Sequence, residues 1–64
     1  RKINSFIQTL PENLRTSFTL REVEGKSYEE IAIITDTPIG TVRSRIFRAR
    51  ETILEYINTE LNYG

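Results

Sequence analysis

The chain has 64 residues, of which 38% are apolar, and a formal net charge of zero, which suits one small domain near the lower limit for unaided folding. It lacks cysteine and histidine, so disulfides and thiolate or imidazole metal sites are excluded and the commonest general base is absent. Apolar residues occur only in short groups, which predicts neither a membrane span nor a signal peptide. Because the sequence opens on Arg1 rather than methionine, we expect residues 1–64 to be one domain cut from a longer intracellular protein.

The first two helices are predicted from apolar spacing and one proline. The i, i+3, i+4, i+7 spacing of a helix face is met by Ile3, Phe6, Ile7 and Leu10. Pro11 breaks this helix and suits the first position of a second helix, expected from Pro11 to Glu24 with Gly25 as a left-handed C-cap. The apolar residues of the second helix do not share one stripe, as expected for a helix in the middle of a bundle; they are Leu14, Phe18, Leu20 and Val23. We expect Leu20 and Val23 to contribute to a partner surface.

A capping box predicts the start of the third helix. Ser27 is its N-cap and Glu30 its third residue. We expect this helix to end near Thr35. Its inner face is predicted to consist of Tyr28, Ile31 and Ile34.

The fourth helix should follow after a tight turn. Thr37 is the expected N-cap, Pro38 the first helical residue and Ile57 the last, and residues 58–64 should fray. The sequence therefore predicts an all-α domain of four helices. A short helix, a tight turn and a long basic helix are typical of a helix-turn-helix.

Positive charge is concentrated in the fourth helix. Between Pro38 and Arg50 there is no carboxylate but there are four arginines, namely Arg43, Arg45, Arg48 and Arg50. On a helical wheel the core row is Val42, Ile46, Ala49 and Ile53. Opposite this row lie Gly40, Ser44, Phe47 and Glu51, with Thr41 and Arg48 beside them. Arg43 and Arg50 flank the core row on one side, and Arg45 flanks it on the other.

This layout fits a helix in the DNA major groove. Edge arginines would reach the phosphates, while small Gly40 and Ser44 would let the backbone approach the base edges. Phe47 has no folding role on the solvent side and would suit a thymine methyl. The alternatives are a solvated arginine face and a lone surface aromatic.

Three sequence blocks in register resemble the fourth conserved region of bacterial sigma factors, especially the extracytoplasmic-function group. They are Leu10-Pro11-Glu12, the run from Leu20 to Gly25 continued by Ser27 to Ala32, and the run from Pro38 to Arg50. The resemblance implies a cytoplasmic protein that recognises double-stranded promoter DNA for RNA polymerase, at the upstream element near position minus thirty-five. It also implies docking on the flap of the polymerase β subunit and, in some members, masking by an anti-sigma factor.

The resemblance also implies roles for individual residues. Base contacts fall on Arg43, Ser44, Phe47 and Arg48. Phosphate contacts fall on Ser27, Tyr28, Thr41, Arg45 and Arg50. For Arg43 the wheel alone allows either role. Thr35 and Ile33 depart from the family pattern, the first because a large apolar residue is usual there and the second because it is more apolar than usual.

Other functions remain open from the residues alone. The output domain of a response regulator has a similar four-helix reader, although its pattern differs at Arg43 and Arg45. A protein-interaction module could place the basic helix on an acidic partner. An enzyme is not expected, since no nucleophile–base pair can be assembled and the adjacent Glu29 and Glu30 point in different directions. We expect no catalytic or metal site, no cofactor, no small-molecule substrate and no membrane partner.

Overall fold

The computed structural model describes residues 2–61. Its elements are α1 (Lys2–Gln8), α2 (Glu12–Glu22), α3 (Tyr28–Thr35), α4 (Ile39–Tyr56) and a π-helical turn (Ile57–Leu61). The prediction of an all-α domain with four helices is confirmed. The expected fraying after Ile57 is wrong as far as Leu61, because the chain continues in the π-helical turn; residues 62–64 lie outside the described range.

The core consists of two apolar clusters that meet along α4. The first contains Leu10, Ala49 and Ile53, with α1 and α2 side chains packed on it, and the second contains Ile31, Val42 and Ile46. All the buried residues of α4 belong to its predicted core row, namely Val42, Ile46, Ala49 and Ile53. The C-terminal half of α4 thus packs against α1 and α2, while its N-terminal half packs against α3.

The second helix contributes to both clusters, which confirms its predicted place in the middle of the bundle. Leu14 and Phe18 pack on the first cluster, whereas Leu20 packs on the second. Leu20 is partly buried against the second cluster, so its side chain takes part in the core packing, and its expected contribution to a partner surface stays a prediction. Val23 remains exposed at the end of α2.

Both prolines lie one residue outside the helices that they precede. Pro11 and Pro38 have ψ angles of 144° and 149°, so they are N-caps and not first helical residues as predicted. Their carbonyls accept the first helical hydrogen bonds, for example from Leu14 at 3.0 Å and from Thr41 at 3.0 Å. The second helix also ends at Glu22 rather than Glu24, and Gly25 follows in the predicted left-handed conformation with φ of 70°.

Threonine hydroxyl groups form hydrogen bonds at the C-terminus of α3. Asp36 adopts a left-handed conformation with φ of 54°, which aspartate tolerates. The Thr35 hydroxyl lies 2.7 Å from the Ile31 carbonyl and 2.8 Å from the Thr37 hydroxyl. The Thr37 hydroxyl is therefore hydrogen-bonded to Thr35 and does not cap α4 as predicted. The Thr35 hydroxyl has hydrogen-bond partners on both sides, so this position does not need the apolar residue that the family usually has.

The exposed side of α3 differs from the prediction. Ile34 was expected on the inner face, yet its side chain is 54% exposed, and Ile33 is 80% exposed. Ile31 alone among the residues of α3 is fully buried. The packed side of α3 is formed by Ile31 with the partly buried Tyr28 and Ala32, and Ile34 points away from the middle of this side.

Candidate nucleic-acid interface

The outward face of α4 is fixed by the burial of its inner face. Val42, Ile46 and Ala49 are fully buried, and this sets the rotation of the helix about its axis. The four residues predicted to contact bases are all exposed on one continuous strip, namely Arg43, Ser44, Phe47 and Arg48. Phe47 is 63% exposed, so its ring packs against little of the domain and is available to a ligand.

An open groove runs beside the N-terminal half of α4. We call it the α2–α4 groove; it has a volume of about 720 Å³ and is lined by Pro11, Asn13, Leu14, Pro38, Gly40, Thr41, Ser44, Arg45 and Arg48. A Cβ atom added at Gly40 would meet nothing within 4 Å, so the helix backbone is open to close approach. Arg45 and Arg48 donate no side-chain hydrogen bond within residues 2–61, which leaves their guanidinium groups free for an anion.

A second set of charged residues surrounds Tyr28 at the start of α3. We call it the Tyr28 cluster; it consists of Arg21, Glu22, Tyr28, Arg43 and Arg50. The guanidinium carbons of Arg21 and Arg43 lie 4.9 Å and 5.8 Å from the centre of the Tyr28 ring, within the range of cation–π attraction. The cluster gathers three arginines but one carboxylate, so it carries excess positive charge.

Arg50 is tied to Glu22 inside this cluster. Its Nε donates to Glu22 Oε2 at 3.0 Å, and its Nη2 donates to the same oxygen. The hydrogen bonds that the Glu22 carboxylate accepts from Arg50 are the main cause that raises the pKa of Arg50, and Tyr28 adds to it. The ion pair joins the last turn of α2 to α4 across 28 residues of sequence.

Ser27 forms the predicted capping box at the start of α3. Its hydroxyl accepts from the backbone N–H of Glu30 at 3.0 Å, and its own N–H donates to Glu30 Oε1 at 2.8 Å. The hydrogen bond from the Ser27 backbone N–H is the main reason why the pKa of the Glu30 carboxyl is lowered. The Ser27 N–H is thus occupied, and only the Ser27 O–H is left as a side-chain donor for a phosphate.

The fold divides four of the five residues predicted to contact phosphate into two groups, while the fifth, Ser27, caps α3. Tyr28 and Arg50 come together in the Tyr28 cluster, whereas Thr41 and Arg45 line the α2–α4 groove. Sequence reasoning gave no role to Arg21, whose Nη1 also donates to the Lys26 carbonyl at 2.9 Å, or to Glu22. The only signal for this cluster in the sequence is the charged pair Arg21-Glu22 before Gly25, followed by the aromatic Tyr28. This signal is weak without the geometry of the turn.

Two other kinds of feature, metal-binding clusters and membrane-spanning helices, are not found among the described residues. Within residues 2–61 no group of three or more acidic side chains could hold a metal ion. No described helix combines the length and apolar character needed to cross a membrane.

The family and the relatives that this chain matches are all described as sigma factors. Residues 1–53 match the profile of the family described as sigma-70, region 4. The chain is 70% identical over 47 residues to the ECF RNA polymerase sigma-E factors of Escherichia coli (strain K12) and Salmonella typhi, covering 73% of this chain and 25% of each relative. It is 65% identical over 51 residues to the RNA polymerase sigma-H factor of Pseudomonas aeruginosa, covering 80% of this chain and 26% of that relative.

The matched segments include every element that positions the interface. Residues 1–53 contain α1, α2 and α3 and most of α4, so the match covers both core clusters and both groups of arginines. The chain spans about a quarter of the length of the curated relatives. On the helix-turn-helix geometry and this match together, the chain belongs to the sigma-70 region 4 family.

Proposed function

We propose that this chain recognises double-stranded promoter DNA as region 4 of a bacterial extracytoplasmic-function sigma factor and so directs RNA polymerase to initiate transcription. The DNA sequence that it recognises is the upstream promoter element near position minus thirty-five. The observation that carries the proposal is the exposed strip on α4, which combines cations, a small hydroxyl and an aromatic ring on a helix anchored by two core clusters. Such a helix fits the major groove and presents several chemistries to base edges.

The exposed strip supports base contacts, and the residues beside it support phosphate contacts. Arg43, Ser44, Phe47 and Arg48 are the proposed base-contacting residues. Arg48 can offer two parallel N–H groups to a guanine edge, and Phe47 offers an apolar surface to a thymine methyl. The proposed phosphate contacts are Ser27, Tyr28, Thr41, Arg45 and Arg50. We add Arg21, because it lies over Tyr28 within the Tyr28 cluster.

The proposed partners follow from the family and the names of the relatives, which are RNA polymerase sigma factors. They are promoter DNA, the RNA polymerase core through the flap of its β subunit and, in some members, an anti-sigma factor. The domain would act in the cytoplasm and without catalysis of its own. Val23, exposed at the end of α2, is the candidate contact for a protein partner, so Val23→Ser should weaken binding of a β-flap peptide.

Selection from random duplexes tests the proposal. The longer protein with core polymerase is used to enrich a preferred sequence, and this chain is then titrated with the preferred duplex at several salt concentrations. About four to six phosphate contacts predict a log–log slope of roughly −4 to −5. A flat salt response, or no enriched sequence, would contradict the proposal. Salt-sensitive capture by an acidic protein without duplex binding would instead favour a protein-interaction module.

A further inference from the structure

We infer that Glu22 restrains the affinity of this domain for DNA by occupying the guanidinium group of Arg50 in competition with a backbone phosphate. The inference rests on the proposed function, since it concerns the strength of DNA binding. It gives an acidic residue outside the helix-turn-helix a role in setting that strength.

The geometry of the pair places the carboxylate where a phosphate would bind. Both the Nε and the Nη2 of Arg50 donate to one oxygen of Glu22. These two N–H groups form one of the forks through which arginine holds a phosphate bidentately. While Glu22 occupies this fork, a phosphate must displace the carboxylate or bind through the remaining donors beside a like charge.

The surroundings of Arg50 point toward an anion from outside the domain. The guanidinium groups of Arg21 and Arg43 lie over the ring of Tyr28, and Tyr28, after the Glu22 carboxylate, raises the pKa of Arg50. Within residues 2–61 the pair with Glu22 is the one ion pair. The other two arginines of the Tyr28 cluster therefore carry charge without an ion-pair partner in that part of the chain, and a phosphate that approaches the cluster is repelled by the Glu22 carboxylate, whose charge has the same sign.

The pair is weak enough to exchange. The side chains of Arg50 and Glu22 are 50% and 38% exposed, and exposed ion pairs shift an equilibrium by about two- to fivefold. A neighbouring phosphate can therefore replace the carboxylate at a modest loss of affinity. Because phosphates are the same on every duplex, the loss should not depend on base sequence.

A charge-removal series tests the inference on this chain. Glu22→Gln keeps the shape of the side chain and removes its charge, and Glu24→Gln removes the same charge from an exposed residue two positions further along the chain. Both are combined with Arg50→Gln. Binding to the preferred duplex and to a scrambled duplex is measured against salt, at a temperature where circular dichroism shows parental helix content.

We expect Glu22→Gln to tighten binding to both duplexes about two- to fivefold more than Glu24→Gln does. The ratio between the duplexes should stay the same, and the salt slope should steepen by up to about one unit. In the Arg50→Gln background, Glu22→Gln should have no more effect than Glu24→Gln. As a second measurement, the Nε–H resonance of Arg50 in the parent chain, assigned by its loss in Arg50→Lys, should shift when duplex is added.

Three binding results and one spectroscopic result would overturn the inference. Glu22→Gln could bind no more tightly than Glu24→Gln, it could bind more weakly, or its effect could persist without Arg50. An Arg50 resonance that does not move on saturation with duplex would also contradict it. Failure of the proposed function looks different, because the parent chain itself would then show no salt-dependent binding to either duplex.

Discussion

The two edges of α4 carry arginines in opposite states. On one edge, Arg43 lies over Tyr28 and Arg50 is paired with Glu22. On the other, Arg45 and Arg48 line the open α2–α4 groove and donate no side-chain hydrogen bond within residues 2–61. The sequence places four arginines within eight residues, and the fold gives two of them partners and leaves the other two without one among the described residues. We call the edge with Arg43 and Arg50 the engaged edge and the edge with Arg45 and Arg48 the open edge.

The difference has a simple cause in the packing. The second core cluster holds α3 against the N-terminal half of α4, and this brings Tyr28 next to one edge. The last turn of α2 brings Glu22 to the same edge. Arginines on this edge should therefore exchange existing contacts for DNA, while those on the open edge should bind DNA without such a loss.

The largest expected effect comes from loosening α3, which supports the engaged edge. Ile31 is completely buried between α3 and α4, so Ile31→Ala should lower the free energy of unfolding by about 2–5 kcal/mol. Urea denaturation followed by circular dichroism measures the loss. Ile33→Ala is the matched control, because the same atoms are removed from the same helix at an exposed position; it should change stability by less than about 0.5 kcal/mol. Equal losses would mean that α3 is not held through Ile31.

The next effect tests the open edge. Arg48→Ala should weaken binding to the preferred duplex by about 1–3 kcal/mol and relax the preference at one or two base pairs, because a bidentate contact to a base edge is lost. Binding constants on the preferred and scrambled duplexes measure both. If Arg48→Ala weakens the two duplexes by the same factor, Arg48 contacts phosphate and not bases.

Ser27 tests how much of the engaged edge depends on the cap of α3. Ser27→Ala removes the acceptor for the Glu30 N–H and should cost about 1 kcal/mol of unfolding free energy. Thermal unfolding at neutral pH measures it. A loss of DNA affinity larger than the loss expected from unfolding would show that the Ser27 hydroxyl also contacts phosphate.

Acidification should weaken the same cap. The pKa of Glu30 is lowered in the folded chain, mainly by the Ser27 N–H. A lowered folded pKa means that the stabilisation is complete above the pKa of the unfolded chain and is lost as pH falls through the folded value. The stability advantage of the parent over Glu30→Gln should therefore be present at neutral pH and disappear in acid. An advantage that stays constant down to low pH would contradict this origin.

The smallest effect is expected at the engaged edge itself. Arg50→Ala should weaken the preferred and scrambled duplexes equally, by about two- to fivefold, because Glu22 already offsets part of the Arg50 charge. The salt slope should become shallower by at most about one unit. A loss confined to the preferred duplex would place Arg50 among the base-contacting residues and contradict its proposed contact with phosphate.

The sequence by itself determined the helices, the capping box of Ser27 and Glu30, and the buried row of α4, because these depend on local spacing and neighbouring residues. Exposure of Phe47 also followed from the wheel, since burial of one helix face leaves the opposite face in solvent. The resemblance to the family supplied the proposed roles of the exposed residues. For Arg43, helical spacing alone allowed either a base contact or a phosphate contact.

Only the tertiary structure decided which arginines have partners and which apolar residues are buried. Glu22 and Arg50 are far apart in sequence, and Arg21 reaches Tyr28 only because the turn at Gly25 brings the start of α3 beside the end of α2. Leu20 joins the core while Ile34 stays exposed, although helical periodicity treats both as apolar positions. Such choices depend on how whole helices cross and where their ends meet, and the period of a single helix carries no information about its neighbours.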